Sequence, residues 1–180
     1  MRADPPARAL DLCCGTGAVL EILRPLARDV VVGLDFSMGM LRVARRTGAP
    51  LVRAGALAPP FDEAFDLVTC FSALGHFLPS QHQALVSAVR GCLRPGGRFL
   101  FATGDLPETT SRGYWLSRAF NAAMRVRNAL WSPPFVMYYL AFLLPEAREL
   151  LEKAGFEVRV KEGVFAEPFG RYRLVDARRA

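Results

Sequence analysis

Lysine is almost missing from this chain: of 23 basic residues only Lys153 and Lys161 are lysines, and the rest are arginines. Histidine and cysteine are also scarce, with two and four copies in 180 residues. Cys13 and Cys14 are neighbours, Cys70 and Cys92 sit in apolar surroundings, and no Cys-x-x-Cys or Cys/His ligand spacing occurs. This pattern excludes a disulfide framework and a zinc module, so no metal is expected and a reducing, cytoplasmic setting fits. The start, Met1-Arg-Ala-Asp-Pro-Pro6, has no apolar core of the kind a secretory signal needs. Long apolar runs are lacking too. The weakly charged stretch 128–145 is interrupted by Pro133, Pro134 and Pro145, which leaves less than the roughly 20 residues of a spanning helix. No transmembrane segment is expected.

What remains is globular: 52% of residues are hydrophobic, 22% are charged, and the length suits one domain over 1–180 with a sizeable core. The formal net charge is +6. Apart from Arg171, Arg173, Arg178 and Arg179 the arginines are dispersed, which describes a solvated surface better than a nucleic-acid footprint.

Residues 1–104 alternate short apolar runs with helical spacing. Strands are expected over 9–14, 30–36, 51–53, 65–71 and 98–102. Between them helices are expected over 18–27, where Pro25 threatens an early end, over 38–46 with Gly48 as its cap, and over 80–93. The last of these would bury Ala84, Leu85, Ala88, Val89 and Leu93, leave His82 on its surface, and stop at Arg94-Pro-Gly-Gly97. Strand–helix alternation predicts crossovers and a parallel sheet. Residues 105–145 form an aromatic and apolar helical insertion. A helix over 145–154 follows, with proline at its first turn and Gly155 at its end, then alternating strands over 156–160 and 172–175.

Ligands of open α/β sheets bind where the strands end. The first strand ends in Asp11-Leu-Cys-Cys-Gly-Thr-Gly17. Its glycines let backbone approach a ligand, and the next helix presents its positive end. The second strand ends in Asp35, about twenty residues on, where a carboxylate can accept both hydroxyls of a ribose. A nicotinamide enzyme shares this layout, but Leu20 stands where the third glycine of G-x-G-x-x-G would be. Alone, the glycine loop is weak evidence. Its order with the acid, the Phe-Asp-Leu-Val strand and the Pro-Gly-Gly turn is much stronger.

Leu10-Asp-Leu-Cys-Cys-Gly-Thr-Gly17 resembles the first motif of class I S-adenosylmethionine-dependent methyltransferases. Val32-Gly-Leu-Asp-Phe-Ser-Met-Gly-Met-Leu41 resembles the second motif of the ubiquinone/menaquinone-biosynthesis (type 11) group, and Phe65-Asp-Leu-Val68 and Leu93-Arg-Pro-Gly-Gly-Arg98 resemble later motifs. The resemblance implies a Rossmann-like α/β sandwich. Its sheet would be seven-stranded and mostly parallel, with helices on both faces and an antiparallel last strand. It also implies S-adenosylmethionine as cofactor. Gly15, Gly17 and Cys13 would line its methionine end and Asp11 would support its ammonium. Asp35 would hold the ribose, Phe36 and Met40 would lie on the adenine side, and Ala56 and Leu57 would border the adenine edge. Phe71 and Ser72 would face the methyl-transfer centre.

This chain departs from the family at three places. Cys13 occupies a position where glycine is commoner. Gly55 stands where relatives carry an acid near the adenine amine. The chain also starts close to its first strand, where relatives have a helical cover, so that cover comes from elsewhere or from residues ahead of Met1. Each residue has a plainer reading as well. Asp11 and Asp35 can cap turns, Phe36, Ala56 and Leu57 can be core, and Cys14 and Cys70 read as small buried residues rather than nucleophiles. His76 is a candidate to deprotonate an acceptor, or a structural histidine.

Methyl transfer from a sulfonium needs alignment and exclusion of water more than a catalytic triad. The acceptor side must come from 105–145, with Tyr114, Trp115, Phe120, Trp131, Phe135, Met137, Tyr138, Tyr139 and Phe142. That segment is expected either to wall a pocket for a small lipophilic or aromatic acceptor or to serve as helix packing or a homodimer face. The rival readings are an RNA or protein methyltransferase and a non-catalytic cofactor- or partner-binding relative. The first lacks an Asn/Asp-Pro-Pro-aromatic motif after the fourth strand, where Thr69-Cys-Phe-Ser-Ala-Leu-Gly-His76 stands instead.

Overall fold

A computed structural model of the chain describes residues 5–105, 107–131 and 141–180. The first apolar run forms β1 (Arg8–Leu12), and β2 (Val30–Asp35), β3 (Leu51–Arg53) and β4 (Phe65–Cys70) follow. They are linked by α1 (Ala18–Leu23) and α2 (Met38–Ala44), and α3 (His82–Cys92) leads into β5 (Leu93–Gly104). Beyond it come α4 (Arg112–Trp131), α5 (Leu144–Lys153), β6 (Phe156–Lys161) and β7 (Tyr172–Arg179).

The seven strands form one sheet in the order β3-β2-β1-β4-β5-β7-β6. The first five are parallel; β7 runs antiparallel to both β5 and β6. The strand order reverses between β1 and β4, and in such sheets that reversal opens the ligand crevice at the carboxyl ends.

Side chains alternate across the strands and build a core on each face. Ala9, Val31 and Leu67 pack with Leu20 and Leu23 of α1 and Leu41 of α2. On the other face Leu10, Val68, Phe99 and Phe101 pack with Val86 and Val89 of α3 and Leu151 of α5. Gly33 is required by this packing: a Cβ there would lie 2.7 Å from Leu20 Cδ1 and 2.8 Å from Leu51 Cδ2.

Several boundaries differ from the sequence reading. Helix α1 stops at Leu23, just before Pro25, and Leu26 is exposed. Strand β5 begins at Leu93, so Pro95-Gly96-Gly97 is an irregularity inside the strand rather than a break before it. Pairing with β4 jumps from Phe65↔Leu93 to Leu67↔Arg98. Gly96 adopts φ +77°, and a Cβ on Gly97 would meet the Arg94 carbonyl at 2.9 Å. Strand β7 extends to Arg179, four residues past the expected end.

The buried face of α3 is also rotated from expectation. Leu85, Val86, Val89 and Cys92 are buried with His82, while Ala84 is exposed. His82 is therefore a core residue and not a surface one. Its Nδ1 donates to Glu146 Oε1 at 2.6 Å, and its ring meets Phe142 edge-on, with centroids 5.0 Å apart. Phe142 belongs to the core too, and its carbonyl accepts from Thr103 Oγ1 at 2.7 Å. Of the other residues expected to wall an acceptor pocket, Phe135, Met137, Tyr138 and Tyr139 lie outside the described residues. The cluster at the C-terminal end is largely structural. Arg179 donates to the carbonyls of Arg90 and Leu93 at the end of α3, and Arg173 pairs with Asp105 and Glu162.

Candidate functional site

The carboxyl ends of β2, β1 and β4 lie side by side, and most of the residues singled out above gather there. After Leu12 the chain turns sharply. Cys13 takes φ +59°, Gly15 φ +52° and Gly17 φ +91°. Cys14 donates its N–H to the Leu34 carbonyl at 2.9 Å, which carries the turn over the end of β2. A side chain at φ near +60° costs roughly 1–2 kcal/mol, so Cys13 occupies a conformation that glycine would adopt freely. The departure from the family pattern is thus one of residue and not of backbone. Helix α1, which follows, has only six residues and provides a shorter dipole than a 10-residue helix would have.

Asp35 ties two loops together. Its Oδ2 accepts the Gly15 N–H at 2.9 Å, and its Oδ1 accepts the Ser37 N–H at 2.8 Å. The plain capping role is therefore real, and each oxygen keeps a second lone pair for a ligand hydroxyl. Ser37 in turn caps α2 through Met40 N. Phe36 follows immediately and is 54% exposed, with Met40 also exposed beside the start of α2. An open phenyl ring at a strand end is apolar surface in want of a cover. Ala56, after β3, is buried and Leu57 is partly buried against the same core.

Asp11 lies deep in the same end of the sheet. Its Oδ1 accepts from Thr69 Oγ1 at 2.7 Å, across the Asp11↔Thr69 register of β1 and β4. Its Oδ2 is buried and has no partner among the described residues. Burial pushes the Asp11 carboxyl up to about 7; the Thr69 hydrogen bond works against that rise and the charge of Asp35 adds to it. Thr69 is a site residue that the sequence reading missed, since only the strand register pairs it with Asp11.

The cysteines are unsuited to nucleophilic work. Burial, then the charges of Asp11 and Asp35, push the Cys14 thiol up to about 12. Cys70 is raised as well, by a hydrogen bond with Cys13 and by burial. A protonated thiol is a poor nucleophile. Beyond β4, Phe71 is half-buried, and Ser72 is exposed with φ +58°. His76 closes a 3-10 turn, Leu74–His76, with its N–H bonded to the Ala73 carbonyl. The site residues thus share one edge of the sheet, with direct links from Gly15 to Asp35 and from Asp11 to Thr69. Among the described residues there is no cluster of three or more histidine, cysteine or acidic side chains able to hold a metal.

Comparison with known proteins agrees with this geometry. Residues 9–97 match a family described as a methyltransferase domain. The chain is 34% identical over 169 residues to the demethylmenaquinone methyltransferase of Thermus thermophilus, covering 86% of this chain and 76% of that relative. It is 31% identical over 178 residues to an uncharacterised methyltransferase of Synechocystis, covering 97% and 77%. An S-adenosylmethionine-dependent methyltransferase structure from Methanosarcina mazei superposes with a TM-score of 0.73 at 18% identity, over 98% of this chain and 93% of that one, a likeness of fold. Strand order, the Gly15–Asp35 site and these similarities agree: the chain belongs to the class I S-adenosylmethionine-dependent methyltransferases, near the group that includes the demethylmenaquinone enzymes.

Proposed function

We propose that this chain binds S-adenosylmethionine across the carboxyl ends of β2, β1 and β4 and methylates a small lipophilic or aromatic acceptor of the quinol or phenol type. The observation that carries the reading is the Asp35 carboxylate, which holds the Gly15 turn at 2.9 Å and stands at the end of β2. The residues fit the cofactor by a separate criterion. Asp11 Oδ2 is a buried polar atom without a partner among the described residues, and a cation such as the methionine ammonium would satisfy it.

S-adenosylmethionine supplies, when bound, a methyl group already activated on a sulfonium. The protein's part is then to bind, orient and keep water out. Asp35 would accept the two ribose hydroxyls, and Asp11, ionised by the approaching ammonium, would neutralise it. Gly15, Gly17 and Cys13 offer backbone at close range. Phe36 would cover one face of the adenine, with Met40 beside it and Ala56 and Leu57 along its edge. Phe71 and Ser72 would face the acceptor, and His76 would take up the acceptor proton. The acceptor class rests on the similarity to demethylmenaquinone enzymes and on the aromatic content of 105–145.

Titration calorimetry with S-adenosylhomocysteine tests the reading directly. Replacing a charged hydrogen-bond acceptor removes about 1.5–3 kcal/mol, so Asp35→Ala should weaken binding by about 10- to 100-fold. NADP should give no heat. Undiminished affinity in Asp35→Ala would refute the assignment; methyl transfer from labelled cofactor to a panel of quinols and phenols tests the acceptor class.

A further inference from the structure

Helix α4 has a surface that the fold does not use. It is 20 residues long, and none of them is buried. Leu116, Ala119, Ala123, Val126 and Leu130 recur at alternating steps of three and four, which places them on one stripe along the helix. All five are exposed, Leu116 at 73% and Leu130 at 67%, and Trp115 widens the stripe at 61%. An exposed apolar stripe of this length marks a surface that meets something.

Charge indicates what that partner is. The helix carries Arg112, Arg118, Arg125 and Arg127 and no acidic residue. At 100° per residue Arg118 and Arg125 fall on the polar side, roughly 120–140° from the middle of the stripe, Arg127 about 60° from it on the other side, and Arg112 at the stripe's N-terminal end. Among the described residues none of the four pairs with a carboxylate, although elsewhere Arg98, Arg173 and Arg179 do. A second copy of the helix laid on the stripe would add four more arginines and no acid to pair with them. A water-facing stripe edged by tryptophan, on a helix whose polar side carries arginines that no carboxylate pairs among the described residues, is instead the composition of a helix that lies in a lipid headgroup layer. Among the described residues no helix is long and apolar enough to cross a membrane, so the contact would be parallel to the surface.

We infer that α4 is an interfacial helix that docks this protein on an anionic lipid bilayer, the stripe entering the acyl boundary and the arginines meeting lipid phosphates. The inference does not depend on the acceptor class proposed above. If that class is right, the docked helix also brings the enzyme to the phase in which a lipophilic acceptor dissolves.

Trp115 and Trp131, the only tryptophans in the chain, both lie on α4, so tryptophan fluorescence reports on this helix alone. The full chain is titrated with vesicles of phosphatidylcholine and with vesicles of equal parts phosphatidylcholine and phosphatidylglycerol. A blue shift with the anionic vesicles, weakened by added salt and much smaller with neutral ones, is expected. Each arginine near an anionic surface contributes about 1 kcal/mol, so Arg118→Gln with Arg125→Gln should weaken vesicle binding by about 25-fold at unchanged Tm. Leu116→Ser with Val126→Ser should abolish the shift. Absence of a shift with either vesicle, or equal affinity for both, overturns the proposal. So does a dimer seen by light scattering that Leu116→Glu dissolves, since a second copy would then be the partner.

Discussion

Replacing Asp11 by asparagine should make the free protein more stable at mildly alkaline pH while weakening cofactor binding. Asp11 is 2% exposed, burial pushes its carboxyl up to about 7 from an ordinary 3.8, and its Oδ2 has no partner among the described residues. A folded-state pKa above the unfolded one means that the fold prefers the protonated acid. Its contribution is complete below the unfolded pKa and is lost as pH rises through about 7. The interval from 3.8 to about 7, at 1.36 kcal/mol per pH unit, corresponds to about 4 kcal/mol. Asparagine keeps an oxygen for the Thr69 hydroxyl and carries no charge, but its NH2 group occupies the unpartnered side, which costs about 1–3 kcal/mol. The two effects should cross. Near pH 4 Asp11→Asn should be less stable than the natural protein by about 1–3 kcal/mol, and near pH 8 more stable by a similar amount. Urea unfolding followed by circular dichroism at the two pH values reads the crossing, and taking the difference between proteins cancels every other titrating group. Calorimetry with S-adenosylhomocysteine should show about 10- to 100-fold weaker binding, the usual worth of a charged hydrogen bond. A constant stability difference across pH would show that Asp11 does not titrate as argued, and unchanged affinity would remove it from the site.

Two further changes test the framework that holds the site. Arg98 binds Asp176 with two contacts, at 2.9 and 2.6 Å, between β5 and β7. Burial pushes the Asp176 carboxyl up, but Arg98 and then Lys161 outweigh it and hold it below the usual range. That contribution is present above the unfolded carboxylate pKa and is lost as pH falls through the folded one, so Arg98→Met should cost about 3 kcal/mol at neutral pH and less in acid. Equal losses at both pH values in urea melts would contradict the pairing. Phe142→Ala, a truncation within a fully buried cluster, should cost about 3–5 kcal/mol and lower Tm; a loss below about 1 kcal/mol would place Phe142 outside the core.

The first half of the molecule was readable because local rules govern it. Gly15, Gly17 and Gly48 occupy positive φ where turns were expected, β3 spans 51–53 as read, and Asp35 ends β2. The misreadings share one physical origin, partners remote in sequence. His82 reads as a polar surface residue until Glu146, 64 positions on and exposed at the rim, supplies an acceptor to the buried ring. The charged tail of β7 looks unlike a buried strand, yet Asp176 finds Arg98 and Arg179 finds the carbonyls that end α3. Thr69 offers no signal of its own, because its importance lies in the register with Asp11. Phe142 could not be told from the other aromatic residues of 105–145 by composition, and only its place beside Phe101 and His82 separates it from the exposed Trp115 and Leu116.

The bond from Thr103 to the Phe142 carbonyl joins positions 39 apart. The chain therefore departs from β5 near Thr103 and rejoins the core at Phe142, with α4 lying between. Doubling the length of a loop closed by such a bond costs only about 0.6 kcal/mol. The segment can be exchanged, lengthened or given a different surface without asking β5, α5 or the cofactor edge to move. A lineage could change what this enzyme touches and keep how it folds.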